Sequence, residues 1–269
     1  MSVDRVVNSV DARTLHGGDI SSGCWVIRDR ADVDVVVKSG ERADLIVIDT
    51  AGAECQRVGI KALSGATLNV VHVITESYDH KLDISMSEHV EVSVTQLVVA
   101  GAKVNTKAHL QGAGARFVLN GSFVHTDDER GDVTVDVLHE VGDCVSRTAY
   151  RGVASGKAQG RFSGLVYIAQ DAQRTDAEQL SRNVTLGDAV IHTAPQMEIY
   201  ADDVRCSHGA TVGQMDAEAI MYMRQRGISA ADAKRLQIQG FVADTILHAP
   251  IAGCGDAMME LLMDKLDRL

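Results

Sequence analysis

The stretch Leu68-Asn-Val-Val-His-Val-Ile74, together with Val90-Glu-Val-Ser-Val94 further along, decides the fold of this chain. Both runs are short and rich in β-branched residues, and Val90–Val94 alternates apolar and polar side chains with a period of two. Gly65 and Gly101 flank these runs as turn signals. No amphipathic segment of helical length separates such runs, which argues against a sheet of alternating strands and helices. The pattern therefore predicts a protein made mainly of short β-strands.

The same pattern continues from about Ala31 to Gly213, with further runs at Val33–Val37, Leu45–Ile48, Leu97–Val99, Phe117–Leu119, Val133–Val137 and Gly164–Ile168. Many short strands without helices between them are typical of a β-solenoid, a sandwich or a barrel. We favour the solenoid, because stacked amides can form ladders between coils, and amides recur late in this region, at Gln170, Gln173, Gln179 and Asn183. An aromatic content of 4% also suits a narrow, repetitive core. The sequence thus predicts an all-β solenoid.

After Gly213 the apolar period becomes helical. Asp216 is the expected N-cap of a first helix that stops at Gly227, and Ser229-Ala-Ala-Asp232 matches a capping box that starts a second helix, closed by Pro250. A third helix is expected from Asp256 to Leu269. Six of the nine methionines fall in this tail: Met215, Met221, Met223, Met258, Met259 and Met263.

Such Met-rich faces often serve as adaptable contact surfaces. They can also cover the end of the β core, and both roles can hold together. The expected organisation is an N-terminal extension or first coil at 1–30, a β-helix core at 31–213 and a helical segment at 214–269.

The bulk composition limits the classes of partner. The chain has 269 residues and a formal net charge of -11, which argues against nucleic acid as the main partner, because phosphate binding needs clustered Lys and Arg. No apolar run approaches the ~20 residues that span a bilayer, and the N-terminus lacks the pattern of a signal peptide. Five cysteines lie far apart without a CxxC motif, so we expect a reducing, cytoplasmic compartment.

The candidate site is a thiol and an imidazole two residues apart, Cys206 and His208, in a run that is expected to be extended. Side chains alternate along a strand, so both point the same way, and unbroken alternation adds Asp202 to that face. Thiolate and imidazole are preferred ligands of iron, copper and zinc. Two ligands make half of a metal site, so the remaining ligands must come from elsewhere in the chain or from a second chain. The alternative is a buried Cys beside a hydrogen-bonded His.

Other patterns give less support for chemistry. The histidines are scattered, with no HxH or HExxH, and there is no GxSxG, P-loop or GxGxxG before a helix. Cys24, Cys55, Cys144 and Cys254 have no His or Cys at ligand spacing, so we expect them to be structural. The polar run Asp171–Gln179 allows a catalytic acidic cluster, but a solvated face or capped turns is the more common structure for such a run.

Ordered motifs in the second half of the chain resemble a known family. They are Tyr150-Arg-Gly-Val, Gly160-Arg-Phe-Ser-Gly-Leu-Val-Tyr-Ile168, Ala172-Gln-Arg-Thr-Asp-Ala-Glu-Gln179, Pro195-Gln-Met-Glu-Ile-Tyr-Ala-Asp-Asp-Val-Arg-Cys-Ser-His-Gly-Ala-Thr-Val-Gly213 and Tyr222-Met-Arg-Gln-Arg-Gly-Ile228. This set resembles the SufB/SufD family of iron–sulfur cluster assembly scaffolds, and the Cys-Ser-His block resembles the SufD type. The resemblance covers about residues 115 to 248.

The resemblance implies a right-handed parallel β-helix followed by a helical segment on which SufC, an ABC-type ATPase, docks. It implies pairing with a SufB-like or SufD-like protomer, or with a copy of itself, through the last coils. It also implies an iron–sulfur cluster held transiently at that protomer interface, with Cys206 and His208 as this chain's metal ligands. SufB-type scaffolds carry a cysteine where this chain has Ile199 and a glutamate where it has Gly209. The chain is also short for the family and is expected to lack most of its N-terminal helical region.

Three hypotheses follow from the sequence. The leading one is a non-enzymatic scaffold for cluster assembly that works with an ATPase partner. The second is a purely structural interface subunit that supplies no cluster ligand. The third is a metal-dependent enzyme on a solenoid, which needs three or more convergent ligands in one protomer.

Overall fold

The computed structural model describes residues 3–28, 30–49 and 53–267, and its strands alternate between two sheets of parallel strands. Within these residues, sheet 1 has nine strands and sheet 2 has eight. Each strand pairs with the next strand but one in the chain, so the backbone winds from one sheet to the other and back in successive coils. The predicted all-β solenoid is confirmed as a parallel, β-helix-like fold.

The bounds of the elements follow the sheet order. Sheet 1 contains β1 (Arg13–Thr14), β3 (Gly23–Ile27), β5 (Arg42–Ile48), β7 (Thr67–Ile74), β9 (Glu91–Val98), β11 (Arg116–His125), β13 (Val145–Ala154), β15 (Thr175–Thr185) and β17 (Val204–Gly213). Sheet 2 contains β2 (Gly18–Ile20), β4 (Asp32–Val37), β6 (Cys55–Ala62), β8 (Asp79–Met86), β10 (Lys103–Leu110), β12 (Arg130–His139), β14 (Gln159–Ile168) and β16 (Val190–Ile199). The helices are α1 (Asp4–Asn8), α2 (Ala217–Gln225), α3 (Ala230–Ile246) and α4 (Cys254–Leu266).

The coils differ in length, which explains why the sequence repeat is loose. His72 and Gln96 are neighbours on adjacent strands of sheet 1 and lie 24 residues apart. Asp143 and Arg174 lie at equivalent turns of a later pair of coils and are 31 residues apart. Turns absorb the difference, and some of them need a left-handed residue: Gly40 and Gly65 have φ of 70° and 73°, a conformation that glycine adopts without steric cost.

A mainly aliphatic core fills the space between the two sheets, because every second residue of each strand points inward. A small aromatic group, Phe123, Tyr150 and Phe162, occupies the later coils, with ring centroids 6.3 Å and 5.3 Å apart for successive pairs. Space for these rings comes from glycine: a Cβ at Gly121 would come within 2.2 Å of the Tyr150 ring. The narrow interior thus accounts for the low aromatic content of the chain.

The helical tail packs along the outer face of sheet 1. A second apolar cluster joins Ile46, Val71 and Val124 of that face to Val242 of α3 and Leu262 of α4. A partly buried ion pair links α4 to the turn between β11 and β12, with Lys265 Nζ lying 2.6 Å from Glu129 Oε1. The methionine-rich tail therefore does cover the β core, but along its side and not at its end, which corrects the expected position. Outer residues of sheet 1 are apolar where the helices lie, so the helices cover the side of the solenoid.

The predicted helix starts agree with the structure. Asp216 and Ser229 cap α2 and α3 through side-chain oxygens that accept backbone N–H groups. The third helix begins at Cys254, two residues before the predicted Asp256, and the predicted end at Leu269 lies outside the described residues. None of the helices in the described part of the chain is long and apolar enough to cross a membrane.

The expected ladder of stacked amides does not form among the residues that the structure describes. Gln173 serves the turns instead, where its Nε2 donates to Gln170 O at 2.8 Å and its Oε1 accepts from Asp203 N at 2.9 Å. Asn183 donates to Ser181 Oγ and to a backbone carbonyl. The solenoid is therefore held by backbone pairing and apolar packing.

Candidate metal half-site at the open end of the solenoid

The last two strands, β16 and β17, lie at the free ends of their sheets and form the final coil. Strand β15, one coil earlier, shows which way the residues of β17 point. Ala177 and Gln179 of β15 are buried, at 1% and 0% exposure, and face the interior. Their partners on β17 are Cys206 and His208. Stacked residues of parallel strands point to the same side of a sheet, so both candidate ligands face the interior of the final coil.

The two side chains differ in environment. Cys206 is half-buried and packs in a small apolar cluster that includes Ala177, Met197 and Val204. His208 is exposed. The geometry agrees with the expectation that the thiol and the imidazole share a face, and their role as metal ligands stays a prediction.

Asp202 does not join that face through an unbroken strand. Strand β17 begins at Val204, and Asp202 lies in an exposed bend before it. The next residue, Asp203, fixes this bend, because its backbone oxygen accepts a hydrogen bond from Arg174 N at 2.6 Å. The expectation that alternation continues back to Asp202 is therefore wrong, because the coil must turn between β16 and β17.

The environment of Cys206 disfavours its thiolate. Burial raises the pKa of the Cys206 thiol, and the nearby Asp176 carboxylate adds to the increase, while a hydrogen bond from the Ala177 backbone opposes it. Metals bind the thiolate, so a metal that binds here must displace a proton. Binding at Cys206 should therefore strengthen as the pH rises.

The interior of the final coil is open at one end. Ile199 and Val212 face inward in β16 and β17, yet they are 42% and 47% exposed, whereas inward residues one coil earlier are buried. The outer edges of both strands also lack a neighbouring strand in the described sheets. Unpaired edge N–H and C=O groups are a template for another chain. The coil thus exposes an apolar interior and two strand edges around Cys206 and His208.

A single chain brings two candidate donors, Cys206 and His208, to one face here. In the described part of the chain, no group of three or more His, Cys, Asp or Glu side chains is placed to hold a metal ion. A thiol and an imidazole are donors that iron accepts, and they lie at an opening, so these residues fit one side of a shared site. The condition for a metal enzyme, three convergent ligands in one protomer, is not met among these residues.

The other cysteines and histidines have different environments. Cys144 is buried and its Sγ donates to Gly112 O at 3.4 Å, a structural contact. Burial lowers the pKa of His72 to about 3 and of His80 to about 4. Burial likewise lowers the pKa of His125 and His139 to about 4. These four imidazoles are neutral parts of the packed interior.

Sequence reasoning named Gln179 as a ladder amide but missed its position beneath His208. The run Asp171–Gln179 was expected to be a solvated face or capped turns, yet its second half enters β15 and Gln179 is fully buried one rung below His208. The available signal was the alternation Thr175, Ala177, Gln179, in which small residues flank the amide on one face. The strand that stacks on this face is set by backbone pairing between distant segments, which the local sequence pattern does not show.

A comparison with protein-family models adds evidence at this point. Residues 26–241 match the model described as "SUF system FeS cluster assembly, SufBD core domain". The chain belongs to the SufBD core family. The resemblance seen in the ordered motifs of the second half is thereby confirmed over most of the chain.

Three relatives illustrate the similarity. The iron–sulfur cluster assembly protein SufD of Escherichia coli is 36% identical over 165 residues, which cover 60% of this chain and 39% of that protein. An iron–sulfur cluster assembly SufBD family protein of Synechocystis is 45% identical over 120 residues, 44% of this chain and 26% of its own length. SufD of Bacillus subtilis is 34% identical over 159 residues, 59% and 36% of the two chains. Each match spans well under half of the relative.

Proposed function

We propose that this chain is a scaffold subunit of a Suf-type iron–sulfur cluster assembly complex that works with a SufC-like ABC ATPase. The observation that carries the proposal is the open final coil, where Cys206 and His208 face the uncovered interior of the solenoid. Membership of the SufBD core family supports the assignment of iron and sulfur as the cargo. The cluster is the product that is built and passed on, and the chain contributes donors to it.

The second half of the site comes from another protomer at the same end of the solenoid. The free edges of β16 and β17 offer two ten-residue strands for edge-to-edge pairing. Covering exposed Ile199 and Val212 would add apolar burial, worth about 25 cal/mol per Å². A SufB-like or SufD-like protomer fits this surface. A copy of this chain would also complete the site, since two thiols and two imidazoles across a dyad make four donors.

The ATPase is proposed to dock on the helical segment 214–269. Helix α2 has no buried residue, and Met221 and Tyr222 on it are 60% and 54% exposed. Leu236 of α3 adds a third large exposed apolar side chain, 47% exposed. Exposed apolar patches are typical of protein interfaces, and these three side chains lie on two helices that pack against each other. This surface lies on the helices and not on the final coil, so both partners can bind one chain at once.

Anaerobic reconstitution of the purified complex with ferrous iron and sulfide tests the proposal. Cys206→Ala or His208→Ala should abolish the visible absorption and the bound iron of the cluster, with retention of the copurifying ATPase. Cys55→Ala and His192→Ala are matched controls, because Cys55 lies in β6 and His192 points outward from β16. In contrast to the Cys206 and His208 variants, Met221→Asp should remove the ATPase from the purified complex and leave the fold intact.

Wild-type cluster yield in the Cys206→Ala/His208→Ala double variant would refute the scaffold proposal. The remaining role would then be the purely structural one, in which the chain supplies interfaces and no ligand. Met221→Asp separates the two halves of the proposal, because it tests the ATPase surface without touching the final coil.

A further inference from the structure

The side chain of Gln179 is a buried amide in the interior of the later coils. The residue is 0% exposed, and in the described structure neither Nε2 nor Oε1 has a hydrogen-bond partner. A buried polar group without a partner costs about 1–3 kcal/mol. Gln179 lies in the middle of β15, among inward residues that are small or hydroxylated. Among the described residues of the isolated chain, no hydrogen bond offsets the cost of burying this amide.

Gln179 is one rung below His208. The two residues are partners in the pairing of β15 with β17, and both face the interior. On the other side of the interior the amide rests on Gly164 of β14, where a Cβ would come within 2.4 Å of Gln179 Nε2. The glycine therefore makes the space that the amide occupies. A larger residue there would require the end of the Gln179 side chain to shift.

An earlier pair of coils shows what this residue pair does when both members are enclosed. His72 of β7 and Gln96 of β9 are likewise stacked partners on the inner face of sheet 1. Gln96 Nε2 donates to His72 Nδ1 at 2.9 Å. Adjacent strands lie about 4.8 Å apart, so a glutamine on one rung reaches an imidazole on the next. Gln179 and His208 are stacked partners in the same way, one rung apart.

A histidine that ligates a metal through one ring nitrogen has an N–H on the other, and a hydrogen-bond acceptor there fixes the tautomer and the ring orientation. Gln179 Oε1 is an unused acceptor one rung from that imidazole. We propose that Gln179 is the positioning residue for His208: its carbonyl oxygen accepts the imidazole N–H when the metal or cluster is bound. This inference rests on the proposed function, because it needs His208 to be a ligand.

Cobalt(II) titration of the purified full chain with its copurifying partner subunits tests the proposal, with cobalt as a spectroscopic substitute for ferrous iron. Gln179→Leu should weaken cobalt binding by about 10–100-fold and change the ligand-field spectrum. Its fold should survive, because the amide has no partner to lose in the free chain, and Gln179→Met provides a second, unbranched variant. Thr193→Val is the matched control: its Oγ1 is another unpartnered buried atom on β16, so cobalt affinity should stay at the wild-type value.

The double variant Gln179→Leu/His208→Ala decides whether the amide acts through the imidazole. We expect it to bind cobalt no more weakly than His208→Ala alone. A further loss in the double variant, or wild-type affinity and spectrum in Gln179→Leu and Gln179→Met, would overturn the inference. Wild-type binding in His208→Ala would instead overturn the site in the proposed function, so the two failures are distinguishable.

Discussion

Four buried histidines make the stability of the solenoid depend on pH. Burial lowers the pKa of His72 to about 3 and of His80, His125 and His139 to about 4, against ~6.5 in an unfolded chain. For His72 the hydrogen bonding agrees, since the Gln96 amide nitrogen donates to Nδ1, which must then be unprotonated. A lowered pKa contributes stability that is present above pH ~6.5 and lost as the pH falls towards the folded value.

The size of the effect follows from the difference in bound protons. Between pH ~7 and pH ~5.5, each of these imidazoles takes up most of a proton on unfolding and almost none in the folded state, which lowers the free energy of unfolding by about 1.2 kcal/mol. The four together give a loss of about 5 kcal/mol, comparable with the whole stability of many domains. Carboxyl groups titrate mainly below this range, so the histidines dominate it.

Urea denaturation followed by circular dichroism at several pH values measures this loss directly. His139→Gln should reduce the pH-dependent part by about a quarter, whatever its effect on stability at pH 7. The exposed His192 provides the control, because His192→Gln should leave the pH dependence as in the wild type. A total loss below about 1 kcal/mol over this range, or the same pH dependence in His139→Gln, would refute the reasoning.

Two further substitutions test the packing that holds the molecule together. Lys265→Met should lower the free energy of unfolding by about 1–3 kcal/mol, because it leaves the partly buried Glu129 carboxylate without its ion-pair partner. In urea denaturation, Glu129→Gln in the same chain should restore most of the loss, and an additive double variant would contradict this account. Gly121→Ala should destabilise the protein by about 1–3 kcal/mol in thermal denaturation, because the added Cβ would meet the Tyr150 ring at 2.2 Å. Gly240→Ala in α3, where no atom lies within 4 Å of the added Cβ, should be neutral or stabilising in the same measurement.

Much of the fold could be predicted because its signals are local. Alternation in Val90–Val94 marks a strand whatever it pairs with, and Asp216 and Ser229 mark helix starts through their own backbone contacts. The face on which the helices pack was not predictable in this way. Apolar residues on both faces of β7, such as Val70 and Val71, look alike in sequence, although one faces the interior and the other faces the helices.

For the candidate site, too, local features were predictable from the sequence and non-local ones were not. The sequence alone determined that Cys206 and His208 share a face, because the side-chain period of a strand is two and needs no knowledge of its neighbours. Their role as half of a metal site stays a prediction. Only the tertiary structure decided that this face opens at the end of the solenoid and that Gln179 lies beneath His208. Coil lengths vary from one turn to the next, so the residue that stacks under another is set by backbone pairing between distant segments and not by any fixed spacing along the chain.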